Sequence, residues 1–288
     1  MHAARSGTLF AATAYILWGV LPIYWKLLAS IRSDEVLAHR MIWSLATVSL
    51  LLSLRSGFGV LQRLRSEPRL LAVYGLSAIL VGGNWFLYIW GVNSGHVLDC
   101  SLGYFMTPLF VVFLGFIVLG ERLRRAQQLA VALAALAVLY QIIQAGTLPW
   151  IGLGLALSFS LYGLVRKLGA LESMEGLFLE SLVLVLPAFL YLLYLDSNTA
   201  SDFVAYPLLT KLLLAGAGPV TAIPLIMFAA GARRISMTTL GLLQYLAPTL
   251  QFACAVGLYG EAFTADNLVT FGLIWVALGI YSCDSYRC

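Results

Sequence analysis

Residues 101–121 read SLGYFMTPLFVVFLGFIVLGE. The run is apolar and long enough to cross a bilayer. It carries one proline, Pro108, and stops at Gly120 and Glu121. Residues 241–261, GLLQYLAPTLQFACAVGLYGE, repeat the design with Pro248, Gly260 and Glu261. Proline to proline and glutamate to glutamate are both 140 positions. The shared spacing marks a duplicated membrane protein.

Composition agrees. Of 288 residues, 61% are hydrophobic and 10% are charged, and the mean hydropathy is +0.92. Soluble domains carry about 25% charged residues. A chain this apolar cannot cover a water-facing surface, so its solvent is the lipid bilayer. There only helices and closed barrels satisfy the backbone. The apolar runs lack the alternation of barrel strands, so they read as helices. Ten spans are expected, near 7–28, 35–54, 70–92, 97–119, 125–143, 149–167, 174–194, 208–230, 236–258 and 264–283. The first is too long for a signal sequence and reads as a retained span. Two connections are longer. Residues 55–69 interleave four arginines with Phe58, Val60, Leu61 and Leu64, which suits a short interfacial helix. Residues 196–207 read as a polar loop.

Charge sets the orientation. With the N-terminus inside, thirteen Lys and Arg fall on cytoplasmic segments and three on outer ones; Arg40 lies within span two. Both termini are therefore expected in the cytoplasm. Ten spans divide into five and five, and an odd repeat inserts its second copy upside down. The expected fold is an all-α polytopic membrane protein with a 5+5 inverted repeat, N-in and C-in, divided into 1–145 and 146–288. Aligning 84–121 with 224–261 matches Gly91 with Gly231, Leu102 with Leu242, Pro108 with Pro248, Gly120 with Gly260 and Glu121 with Glu261. Trp18 and Tyr162 each precede a glycine as a looser echo. Inverted repeats are a transporter architecture with a solute site near the midplane.

Several residues could carry function. Arg40 in span two costs roughly 2.5–3.5 kcal/mol to insert, so it faces protein or water. It reads as a contact for an anionic solute, a gating ion pair, or a structural arginine snorkelling to the interface. His39 could relay a proton or pack through hydrogen bonds. Glu180 matches Arg40 at the repeat spacing and has Arg166 and Lys167 nearby for an ion pair. Asn84, Trp85 and Tyr88 on span three could line a cavity, while Trp90 suits an aromatic belt. Tyr104, Phe105, Met106 and Thr107 precede Pro108, and Gln244 and Tyr245 precede Pro248. A proline frees the carbonyl one turn back, here at Tyr104 and Gln244, and such carbonyls belong at cavities or protein contacts. His96 lies in an outer turn with Asn93 and Asp99, as a gate or a solvated loop. Glu121 and Glu261 read as helix ends at the two interfaces. Cys100 and Cys254 read as packing residues, Cys283 and Cys288 as reduced thiols near the C-terminus. No nucleophile triad, phosphate loop or metal spacing is present, and the basic residues form no nucleic-acid patch. The expected partners are a small-molecule substrate and the lipid bilayer, with no cofactor and no nucleic acid; oligomeric state is not encoded legibly.

Together these segments resemble the drug/metabolite transporter superfamily, in its EamA-type, RarD-like branch. The resemblance rests on AHRMIWSL (38–45), NWFLYIWGVNSGHVLDCSLGYF (84–105), LGERLRR (119–125), LYGLVRK (161–167), EGLFLE (175–180) and GLLQYLAPTLQF (241–252). It implies an inner-membrane permease with a central cavity from spans one, three, four, six, eight and nine. RarD-like proteins are described as chloramphenicol-sensitivity permeases. Met106 and Thr107 stand where the resemblance leads one to expect Ile-Asn. The site expected on these grounds comprises Trp18, Asn84, Trp85, Tyr88, Tyr104, Phe105, Thr107, Pro108, Tyr162, Gln244, Tyr245 and Pro248 as cavity lining, with His39, Arg40, His96 and Glu180 in gating or coupling. The expected activity is secondary transport of a small organic metabolite or drug by alternating access. The competing reading, a sensor or scaffold that transports nothing, predicts a filled centre; an intramembrane enzyme would need titratable groups clustered at one face.

Overall fold

A computed structural model describes residues 2–55, 57–197, 203–260 and 265–287. Glu261, Cys288 and the middle of the 196–207 loop lie outside the described residues. Among these the chain is helical throughout and contains ten helices long and apolar enough to span a membrane. They are α1 (His2–Lys26), α2 (Ser33–Arg55), α4 (Arg69–Asn93), α5 (Val97–Leu119), α6 (Arg125–Ala145), α7 (Trp150–Leu168), α8 (Ser173–Ser197), α9 (Leu208–Ala232), α12 (Ala265–Arg287) and a divided span, α10 (Met237–Gln244) with α11 (Leu246–Tyr259). The short α3 (Gly59–Ser66) is the helix anticipated between spans two and three. Side chains such as Ile143, Leu186, Phe189 and Val276 point outward and stay exposed. That surface is stable only against hydrocarbon.

The two proline helices behave differently. α5 runs unbroken through Pro108. There Thr107 donates its hydroxyl to the Gly103 carbonyl at 2.6 Å, and Ser160 donates to the Thr107 carbonyl at 3.3 Å. The ninth span instead divides at Tyr245, three residues before Pro248. Both spans end alike, at Gly120 (φ 64°) and Gly260 (φ 68°), left-handed turns that glycine adopts without a Cβ penalty.

α5 and α10 cross in close contact. Gly241 brings α10 so close that an added Cβ would lie 2.7 Å from the Pro108 carbonyl oxygen. The Tyr245 hydroxyl donates to the Phe105 carbonyl at 3.1 Å. Glu121, just past the end of α5, reaches the start of α10, so the two helices run antiparallel. Around this crossing α7 packs on α5 and α4, and α1 packs on α9, α10 and α11. Outside them α2 packs on α8 and α9, and α6 packs on α12.

A buried polar cluster joins α4, α7 and α8. Arg166 Nη1 lies 3.0 Å from Glu180 Oε1. Both are buried, at 3% and 0% exposure. Ser77 donates to Glu180 Oε1 at 2.6 Å, Tyr162 donates to Oε2 at 3.3 Å, and Arg166 Nη2 donates to the Ser173 carbonyl at 2.7 Å. Charges this deep are tolerated because each neutralises the other and the remaining lone pairs are bonded.

Two substitutions test these contacts. Gly241→Val overfills the α5–α10 crossing and costs about 2 kcal/mol, read as a lower Tm in thermal unfolding of the purified protein. Arg166→Met strands the Glu180 carboxyl and costs about 3 kcal/mol, whereas the Arg166→Met, Glu180→Leu double variant recovers most of that loss. Equal loss in the single and double variants would show that the pair contributes nothing through its charges.

Candidate functional site

A cavity of about 500 Å³ lies at the middle of the bundle. Its wall comes from α1, α2, α4, α5, α7, α9, α10 and α11 together with the α1–α2 turn. It extends toward the end where α1 stops and α2 begins. A second cavity shares Pro22, Trp25, Tyr88 and Gln251 with it and adds Lys26, Ala255 and Tyr259. Lys26 is exposed there, its ammonium 3.5 Å from the centre of the Tyr259 ring.

Most of the wall is aromatic. Trp18 and Phe159 meet edge to face with centroids 5.7 Å apart, and Tyr88 and Tyr104 do the same at 5.7 Å. Tyr15, Trp18 and Phe159 line the deep end, with Phe228 and Tyr162 stacked behind them at 5.9 Å. Such clusters exclude water and hold flat surfaces at defined angles.

One charged side chain is described on this wall, Arg40. α2 brings it to the cavity four residues beyond Val36, one turn along the same helical face. Its Cζ lies 4.8 Å from the ring centre of Trp25 and 4.8 Å from that of Trp85. Nε donates to Thr221 Oγ1 at 3.1 Å. None of the ion pairs among the described residues includes Arg40. Two indole faces over a desolvated cation contribute about 2 kcal/mol, which offsets much of its insertion cost.

The polar groups are committed in part, and the buried Tyr15 hydroxyl on this wall has no partner. Asn84 Nδ2 donates to the Leu155 carbonyl and to Ser158 Oγ, both at 2.9 Å. Gln251 donates to the Trp18 carbonyl at 3.3 Å. Gln244 is buried at 7% exposure, and its amide oxygen has no partner.

Of the residues expected to line a cavity, Trp18, Asn84, Trp85, Tyr88, Tyr104, Thr107, Gln244 and Pro248 reach the wall. Four do not. Phe105 turns to Phe271 on α12. Pro108 faces Gly241 in the helix crossing. Tyr162 lies behind the aromatic floor. Tyr245 is fully buried with its hydroxyl on α5. Of the gating candidates only Arg40 is at the cavity. His39 stacks on Phe203 at 5.0 Å, with Nε2 3.9 Å from Glu35. His96 is exposed and stacks on Trp90. Glu180 is in the cluster with Arg166. Residue type alone did not single out Tyr15, Trp25, Phe159, Thr221 or Gln251. Thr221 and Phe159 become legible only once α9 and α7 are placed around the centre.

The deep end is closed by polar contacts between backbone and side chains. Glu121 accepts from the Met237 amide at 2.6 Å, the Thr238 amide at 2.9 Å and the Thr238 hydroxyl at 2.8 Å. A carboxylate there satisfies amides that the first turn of α10 leaves open, and the helix dipole favours it. Lys167 donates to the Ala232 carbonyl at 3.0 Å and to that of Ile235. Arg233 donates to the carbonyls of Gly169, at 2.9 Å, and Leu171. Glu121 is thus a latch between two spans, beyond its place at a helix end. Among the described residues no three His, Cys, Asp or Glu side chains are grouped to hold a metal.

Comparison with known proteins places this arrangement. Residues 5–142 match the EamA-like transporter family. The chain is 47% identical over 281 residues to Protein RarD of Salmonella typhi, covering 98% of this chain and 96% of that one. It is 43% identical over 288 residues to an uncharacterized transporter of Vibrio cholerae, covering 99% and 94%. A Pseudomonas aeruginosa protein named "Chloramphenicol-sensitive protein RarD" is 35% identical over 291 residues, covering 100% and 97%. A solved crystal structure aligns with a TM-score of 0.77 at 18% identity, over 98% of each chain, and so shares the fold. Sequence identity over nearly the whole length, together with ten apolar helices around a central cavity, makes this chain a membrane transporter protein of the RarD-like branch of the EamA-like transporter family.

Proposed function

We propose that the protein is a secondary transporter that moves a small organic solute, a metabolite or drug, across the inner membrane by alternating access. The observation that carries this reading is the cavity, which reaches one end of the bundle and stops at an aromatic floor and the Glu121 latch at the other. A filled centre, as a scaffold would have, is absent at this position.

Alternating access needs two halves that can rock, and an inverted repeat divided near 145/146 supplies them. Contacts at the repeat spacing support it. Tyr245 bonds Phe105, its own counterpart 140 positions earlier. Gly91 faces Ile151 while Gly231 faces Ala11, and both glycines and both partners are 140 apart. The antiparallel course of α5 and α10 is what inversion requires. Lys and Arg favour the end of the bundle holding the N-terminus, which supports cytoplasmic termini. In that orientation the cavity faces outward and the latch is cytoplasmic.

The cycle follows from these parts. Solute enters past Lys26, displaces water from the aromatic wall and settles against Arg40 and the floor. Rocking of the halves closes the outer end and separates Glu121 from α10. The relative named for chloramphenicol sensitivity makes an amphenicol a rational member of the test panel.

Purified protein in proteoliposomes should exchange at least one solute from a broad panel of metabolites and amphenicols, with or without a proton gradient; no movement of any solute would overturn the reading. Glu121→Ala should speed amide hydrogen exchange at Met237 and Thr238 by about tenfold or more, since it removes three bonds to a charged acceptor worth about 2 kcal/mol or more together. Unchanged exchange at both amides would mean that Glu121 holds nothing closed.

A further inference from the structure

We infer that the solute is an organic monoanion, a carboxylate on a flat apolar body, with Arg40 as its charge partner. This rests on the transporter reading of the same cavity and names the class of solute it takes.

Arg40 is the one charged side chain described on the cavity wall, and the described ion pairs leave it without a carboxylate. Elsewhere in the bundle the deeply buried arginine is neutralised: Arg166 has Glu180 at 3.0 Å. The contrast is specific. A membrane protein that can pair one arginine and leaves another facing a cavity has kept a positive site there, and a guanidinium is matched by a planar oxyanion through parallel N–H donors. Of its nitrogens only Nε is committed, to Thr221, and the guanidinium is part-exposed to the cavity. Trp25 and Trp85 both pack on the guanidinium, so less side-chain entropy remains to be lost when the anion arrives.

Magnitude of charge comes next. One cation balances one negative charge. A dianion such as a phosphate monoester would bring an uncompensated charge into a low-dielectric site, where bare charge is expensive. A zwitterion would bring an ammonium close to Arg40, and no carboxylate is described on this wall to offset the second positive charge. Cations are repelled outright. Lys26 at the mouth draws anions inward without entering the deep site.

The remaining wall describes the body. Trp18, Tyr88, Tyr104 and Phe159 present flat apolar faces. A volume of about 500 Å³ admits a single drug-sized or smaller solute. The unpartnered amide oxygen of Gln244 adds a buried acceptor for one hydroxyl or N–H on that body.

The test uses matched probes on the purified full-length protein in nanodiscs, followed by tryptophan fluorescence and thermal shift. Phenylacetate should bind, and phenylacetamide, phenylalanine, 2-phenylethylamine and the dianion phenyl phosphate should bind about tenfold more weakly or worse. Arg40→Gln should weaken phenylacetate by about tenfold or more while leaving phenylacetamide unchanged, and Arg40→Lys should fall between. The wild-type probe series decides the matter even if a variant fails to fold. Equal binding of phenylacetamide, absence of phenylacetate binding up to its solubility limit, or phenylacetate binding that survives Arg40→Gln overturns the inference. The two readings fail separately. Proteoliposomes that carry a neutral or cationic solute equally well with Arg40→Gln remove the anion and keep the transporter. Phenylacetate bound through Arg40 in a protein that moves no solute keeps the anion site and removes the transporter.

Discussion

Hydrocarbon offers no hydrogen bonds, so a helix divided inside a membrane must find partners within the protein. At the division of the ninth span Tyr245 keeps an α-region backbone (φ −63°, ψ −12°), and its amide donates to the Leu242 carbonyl. The tyrosine hydroxyl bonds the Phe105 carbonyl on α5, and Gly241 lets α10 approach the Pro108 carbonyl. The crossing then fixes the rest. α10 stays on α5 along its length, from Met237 at Glu121 to Tyr245 at Phe105, and the cavity beside them is walled also by α1, α2, α4, α7, α9 and α11.

The same crossing explains why one end is shut. Glu121 follows α5 and sits at the first turn of α10, so a carboxylate meets open amides and the positive end of a dipole. Lys167 and Arg233 make the converse contact with carbonyls at helix ends and turns. These are charge-to-backbone bonds. Each can break and be replaced by water, which a salt bridge sealed in hydrocarbon cannot do cheaply. The Arg166–Glu180 pair is of that second kind, and Ser77 of α4 ties it to a third helix.

The helices were legible because hydrocarbon imposes one rule on every residue in a span. Length and apolarity set the ten segments to within a few residues, and the arginines of 55–69 announced α3. Which side of a helix meets a cavity is a different question. Phe105 and Tyr104 are neighbours of similar type, yet one packs on α12 and the other lines the cavity. A helix apolar on all sides carries no periodicity to separate them. Pro108 and Pro248 share a spacing, but only the second falls at a break; Thr107 and Ser160 hold hydrogen bonds around the first. Glu121 is legible as a helix end, but its bonds to α10 are not, because those partners are 116 and 117 positions away. Pairings at that distance are set by the fold.

Arg40 and Glu180 occupy positions 140 apart and have opposite surroundings. The arginine stands at the cavity between two indoles. The glutamate is withdrawn into bonds with Arg166, Ser77 and Tyr162. A strictly symmetric duplication would place the same charge at both positions and bring like charges to equivalent sites about the centre. In the proposed repeat, the difference at this pair removes that repulsion and keeps the acid bonded to Arg166. What remains at the cavity is a single positive charge in an aromatic setting. In the proposed inverted repeat the frame would present its two faces in turn, and the chemistry at the centre would lie where the two copies differ.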